Sequence, residues 1–117
     1  MKAPSNITLN KEKTLLTVTF DDTEYPMTTE YLRTHSPSAE VVGHGPGQET
    51  LQIGKENVTL TRIEPTGNYA VTLFFSDGHD SGIYSWERLY ELATEHDIRW
   101  ENYLTRLKDA GHSHSQH

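Results

Sequence analysis

The sequence predicts an α+β fold: a mostly antiparallel β-sheet of about five to seven short strands, with C-terminal helices packed on one face. Three observations lead there. Short runs of alternating apolar residues, the period of strands, follow one another up to Phe75. Polar clusters containing Gly, Asn or Pro divide those runs. After Ser85 the apolar spacing changes to the i, i+3, i+4, i+7 pattern of amphipathic helices.

"NITLNKEKTLLTVTF" reads as two strands, with Ile7 and Leu9 alternating, then Leu16, Val18 and Phe20, and "NKEK" turning between them. "DDTEYPM" continues as a short edge piece, because Pro26 has no N–H to give a ladder. Thr28 or Thr29 can cap a short helix through "EYLRTH", which Ser36-Pro37 stops. "SPSAEVVGHGPGQ", with Gly43, Gly45, Pro46 and Gly47, reads as loop. "ETLQIGKENVTLTRIEP" reads as a hairpin turning at "GKEN", and "PTGNY" makes the next turn. "NYAVTLFFS" is the strongest strand. Tyr69, Val71, Leu73 and Phe75 share one face and Ala70, Thr72 and Phe74 the other, which places it near a sheet centre.

Asp77-Gly78 predicts a two-residue type I′ hairpin, and Gly82 a bulge or a point of close packing. Ser85 can cap "WERLYELATEH", putting Trp86, Leu89, Leu92 and Ala93 on one side. Asp97 can cap "IRWENYLTRLKDA", where Trp100, Tyr103, Leu104 and Leu107 form the apolar stripe and Gly111 ends the helix. Residues 1–111 are expected to form one domain and 112–117 a disordered His-rich tail.

The chain has 117 residues and 33% apolar content, enough for one core helped by six tyrosines and two tryptophans. The absence of cysteine excludes disulfides, thiolate-held metals and a thiol nucleophile, and suits the cytoplasm. No stretch has the apolar length of a signal peptide or a membrane span, so no membrane association is expected. A net charge of −7 with no basic run argues against nucleic acid as a partner.

Chemistry concentrates in "FFSDGHDSGIYSW", residues 74–86. His79, with Asp77 and Asp80 beside it and His35 or Glu40 as the contributor from elsewhere, is a candidate ligand set for one iron or zinc ion. A histidine held beside a turn is the plainer alternative. No histidine begins the His-x-Asp/Glu pattern of a facial triad, and no Gly-x-Ser-x-Gly elbow or phosphate-cradling loop occurs. Ser76, Ser81 and Ser85 lie near His79, so a serine–histidine–acid relay stays open. For a protein partner, Arg33, Glu40 and Tyr84 are the candidate contacts. Arg33 would meet a carboxylate on the partner or, equally, bridge internally to Glu40 or Asp80. Tyr31, Tyr69 and Tyr84 could line a cage for a trimethylammonium ligand, or belong to the core.

"YLRTHSPSAE", "RIEPTGNYAV" and "FSDGHDSGIYSWERLYEL" together resemble the gamma-butyrobetaine hydroxylase-like N-terminal domain, from about Ile7 to Leu92. In eukaryotic hydroxylases this domain precedes an iron- and 2-oxoglutarate-dependent dioxygenase domain and binds a structural zinc through three cysteines and a histidine. The resemblance puts the cysteine positions on Ser36, Ser38 and Val41 and the histidine on His79. Three of the four ligands are replaced by side chains that do not stand in for thiolates. A related domain is appended to some Mrp-type iron–sulfur carrier ATPases, and free-standing bacterial copies look like this chain. The resemblance therefore implies a non-catalytic accessory domain whose protein partner is an oxygenase or an iron–sulfur assembly component. The alternative is a mononuclear metal protein built on His79.

Overall fold

The structure, a computed structural model, describes residues 2–43, 50–112 and 114. Its strands are β1 (Asn6–Leu9), β2 (Leu15–Phe20), β3 (Thr23–Thr28), β4 (Leu60–Thr66), β5 (Ala70–Phe75) and β6 (Gly82–Ser85). Its helices are α1 (Thr29–Thr34), α2 (Ala39–Val42), α3 (Trp86–Thr94) and α4 (His96–Asp109). The class is α+β as the sequence predicts, but the six strands divide into two antiparallel sheets, ordered β1-β2-β3 and β4-β5-β6. β5 is central in its sheet, and β3 with Pro26 is an edge. The loop expected at Gly45, Pro46 and Gly47, and most of the expected tail, lie outside the described residues.

Alternation decides which face of each strand is buried. Leu16, Val18 and Phe20 point into the core from β2, and Val71, Leu73 and Phe75 from β5. These two rows meet Leu89, Leu92 and Ala93 of α3 in one cluster. Each buried leucine contributes about 1.5–3 kcal/mol of transfer free energy. On the other face of β5, Phe74 lies under the Arg62 guanidinium, 4.3 Å from the ring centroid. α3 contacts both β3 and β6 and so ties the sheets together. Tyr31 of α1 donates its hydroxyl to the Leu92 carbonyl at 2.6 Å.

Two caps form as read: Thr28 accepts from the Tyr31 N–H and Ser85 from the Arg88 N–H. Asp97 is not a cap. The chain turns two residues earlier, at Glu95, α4 starts at His96, and Asp97 sits in its first turn, where the helix dipole favours a carboxylate. "SPSAEVV" is not all loop, because Ser38 caps the single turn of α2. The first arm of the expected "GKEN" hairpin does not form a strand. Its groups bond elsewhere: the Thr50 N–H to the Val41 carbonyl, and the Gln52 carbonyl to the Tyr103 hydroxyl.

The type I′ turn sits at Asp21-Asp22, not at Asp77-Gly78. Both aspartates have positive φ, 48° and 66°, between the paired Phe20 and Thr23. At the later turn only Gly78 has positive φ, 89°. Its N–H donates to the Phe75 carbonyl at 3.0 Å, and the Phe75 N–H donates to the His79 carbonyl. That is a three-residue loop over Ser76, Asp77 and Gly78 with the glycine in the left-handed position.

Candidate functional site

The three-residue loop and the α1–α2 connection face each other, and their side chains join in a polar node. Asp77 is its anchor. One carboxylate oxygen accepts from Arg33 Nε at 2.9 Å and Lys55 Nζ at 2.7 Å, and the other accepts from the His79 N–H at 3.2 Å. Burial alone would push this carboxyl upward. The Lys55 and His79 hydrogen bonds and the Arg33 charge overcome it and hold Asp77 at about 2.

His79 follows at the bottom of the loop, with its side chain 1% exposed. Nδ1 lies 3.0 Å from Glu40 Oε2 and Nε2 lies 2.9 Å from Ser36 Oγ. Burial first, then the Arg33 charge, pull His79 below its ordinary value against the pull of Glu40. The imidazole is therefore neutral near pH 7, donating from Nδ1 to the carboxylate and accepting from the serine at Nε2. Ser36 Oγ also accepts from the Ser38 N–H at 3.2 Å, and Ser38 Oγ is paired with Ser81 Oγ at 2.7 Å. Gly82 permits this packing: a Cβ there would stand 2.7 Å from Ser36 Oγ and 2.9 Å from Tyr84 Cε1.

Serine, histidine and glutamate thus stand in the order of a hydrolytic relay. The serine is Ser36, not one of the serines beside His79 in sequence. Ser36 is fully buried, with Gly82 against its hydroxyl. Ser36→Ala should cost about 2 kcal/mol in urea denaturation, because the buried His79 Nε2 loses its donor. An unchanged midpoint would remove this hydrogen bond from the account.

The other sequence candidates are dispersed. His35 does not join His79: its Nδ1 engages the Tyr31 carbonyl at 2.9 Å and its ring stacks between Tyr31 and Tyr103. Asp80 is exposed. Among the described residues, no group of three or more His, Asp or Glu could hold a metal ion. Nor does the donor set fit the zinc of the eukaryotic hydroxylases. Ser36 and Ser38 spend their hydroxyls on His79 and Ser81, and Val41 is a buried hydrocarbon. Arg33 makes the internal bridge, but to Asp77 rather than Glu40 or Asp80. Tyr84 is not at the surface: it is fully buried and donates to the Leu32 carbonyl at 2.6 Å. Tyr31 is equally buried while Tyr69 is 59% exposed, so no aromatic cage forms. Glu40, with its side chain 69% exposed, stays accessible beside the node.

A mixed apolar and charged surface lies between α2, β6 and α3. Val42 and Ile83 are 37% and 47% exposed and, with Pro37, line a shallow depression of about 390 Å³. Ile83 faces outward from β6, which among the described residues pairs only with β5.

The fold is similar to that of solved structures. The chain is similar over 97% of its length to two proteins solved in solution by NMR. One is 50% identical, with 90% of its chain covered and a TM-score of 0.85. The other is 44% identical, with 85% covered and a TM-score of 0.80. It is also similar, at 35% identity over 77% of this chain and 91% of the other, with a TM-score of 0.62, to a crystal structure from Acidithiobacillus ferrooxidans. That protein has unknown function and belongs to the DUF971 family. No curated protein matches. The family model described as "Gamma-butyrobetaine hydroxylase-like, N-terminal" matches residues 7–90. With most of the chain inside that match, this protein belongs to the gamma-butyrobetaine hydroxylase-like N-terminal domain family.

Proposed function

We propose that the chain is a non-catalytic accessory module that docks on a protein partner in the cytoplasm. The observation that supports this reading most is the depression beside the open side of β6, where Pro37, Val42 and Ile83 meet Ser85, Glu87, Arg88 and Glu91. Outward N–H and C=O groups on a sheet edge, flanked by exposed apolar side chains, suit an extended partner segment. Glu87 and Glu91 in the lining of the depression, against the single cation Arg88, favour a basic residue on the partner. The Ser36–His79–Glu40 relay fits a structural role, in which it fixes the loop and α2 that shape this surface. Family kinship suggests the partner class, an oxygenase or an iron–sulfur assembly component.

Ile83→Glu is the test, because this side chain is exposed and its inward neighbours Gly82 and Tyr84 stay untouched. Under reducing conditions, extracts of the native host should yield one recurring polypeptide on the wild-type protein and none on the variant. The two proteins should melt within about 0.5 kcal/mol of each other. The same polypeptides bound by both, or by neither, would remove this surface from the proposal.

A further inference from the structure

A second concavity lies between the α1–α2 connection and α4, and borders the polar node through Ser36. Its volume is about 270 Å³. Arg88, Arg99 and Arg106 all line it. These are three of the chain's five arginines, gathered in a protein of net charge −7. No aspartate or glutamate stands among its described lining residues. His35 also lines it, but burial drives this imidazole down to about 4, so it is neutral near pH 7.

The guanidiniums are incompletely paired. Arg88 Nε is buried with no hydrogen-bond partner. Its terminal nitrogens reach only the His35 carbonyl at 3.4 Å and Glu91 at 3.9 Å. Burial, and after it the charge of Arg99, work against the Arg88 cation. Arg106 makes no salt bridge among the described residues. Arg99 is held by Glu95 at 2.8 Å, an i, i+4 pair open to water. Such a pair contributes about 0.3–0.5 kcal/mol and exchanges readily.

The spacing says what shape of anion suits the cleft. Arg99 and Arg106 lie seven residues apart on α4, on one face and about 10 Å apart along the axis. Tyr103 sits between them, buried, with its hydroxyl fixed to the Gln52 carbonyl at 2.6 Å. Val41 and Val42 add hydrocarbon to the lining, and Thr34, Thr50 and Gln52 add neutral polar groups. Two guanidiniums spaced along one face of α4, with the Tyr103 ring between them, suit an anion with two carboxylates on a short aliphatic spacer. A compact phosphate would leave one arginine unmet. Planar carboxylates also suit the arginine fork. We propose that this cleft binds a small aliphatic dicarboxylate, its two carboxylates held by Arg99 and Arg106 and the nearer one also by the unpaired Arg88 Nε.

The measurement is an NMR titration at low ionic strength, following arginine Nε–H signals and the Tyr103 amide. Probes are succinate, glutarate and adipate, with acetate, inorganic phosphate and sodium chloride of equal ionic strength as controls. At least one dicarboxylate should give saturable, one-to-one shifts at Arg88, Arg99 and Tyr103. It should bind about tenfold or more tightly than acetate or phosphate. Arg99→Gln/Arg106→Gln should weaken it about tenfold or more while the rest of the spectrum stays dispersed, since glutamine is a good helix former. If the double variant fails to fold, Arg106→Gln alone, at an exposed position, takes its place. Equal shifts with chloride, equal affinity for acetate or phosphate, or unaltered binding in the variant would overturn the assignment. Arg99 and Arg106 do not line the Ile83 depression, so loss of the anion and loss of the protein partner are read separately.

Discussion

Asp77→Ala should destabilise the protein by about 3 kcal/mol, read as a lowered urea midpoint at pH 7 with an unchanged slope. The reason lies less in the lost attraction than in what remains. The Arg33 side chain is only 8% exposed, and its Nη1 already lacks a partner. Removing the carboxylate leaves a guanidinium that is nearly out of water and has no counter-charge. It also removes the acceptor for the His79 N–H, which shapes the loop. Asp77→Asn keeps that acceptor and should fall between wild type and alanine. Lys55→Ala should cost far less, since Lys55 is more exposed and Asp77 keeps Arg33. A loss below about 1 kcal/mol for Asp77→Ala would mean that water screens the pair and that Asp77 is not the anchor.

Acidification from pH 7 to 4.5 should lower stability through His35. Burial is the main cause that holds this imidazole at about 4 in the fold, against 6.5 for the free side chain. Because the folded value is depressed, the unfolded chain takes up the proton first. The stabilising contribution is whole above pH 6.5 and is lost as pH falls toward 4. At about 1.4 kcal/mol per unit, the loss at full protonation is on the order of 3 kcal/mol. His79, also depressed chiefly by burial, acts in the same direction. Glu30 acts in the opposite one. Burial raises its carboxyl against the opposing hydrogen bond from His114, so its contribution is whole below 4.5 and is lost as pH rises. Asp77 enters only below 3.8, losing its contribution as pH falls toward 2. His35→Phe keeps a ring against Tyr31 and Tyr103 and should flatten most of the slope between pH 6.5 and 4.5. A wild-type urea midpoint indifferent to pH over that range, or a slope unaltered by His35→Phe, would refute the assignment to His35.

The two largest effects share an origin. Each concerns a charged or titratable group drawn into the interior near the α1–α2 connection, where a net charge of −7 gives no hint that cations collect. Arg33, Arg88 and Arg99 reach that region from three different helices. Tyr31 and Tyr84 flank it, each spending its hydroxyl on a backbone carbonyl of a neighbouring segment. Buried tyrosines satisfied in this way belong to the core and bring their hydroxyls inside without leaving them unpaired.

Sequence by itself determined what depends on near neighbours. Alternation in "LLTVTF" and "AVTLFF" specified two strands and their buried faces, because successive side chains must point to opposite sides. Thr28 and Ser85 announced their helices, since a cap bonds an N–H only a few residues ahead. The motif "SDGHDSGIYSW" carried the family. Turn chemistry was legible only in part: Asp77-Gly78 carried the stronger type I′ signal, yet the type I′ turn formed at Asp21-Asp22, where the two strands it joins fixed the geometry. What tertiary structure alone decided is partnership across distance. His79 meets Ser36 and Glu40, Asp77 meets Arg33, and three arginines converge on one cleft. The Ser36–His79 and Arg33–Asp77 partners stand 43 and 44 residues apart in the chain. Periodicity says which way a side chain points, but which distant group it meets there depends on how the two sheets and their helices pack.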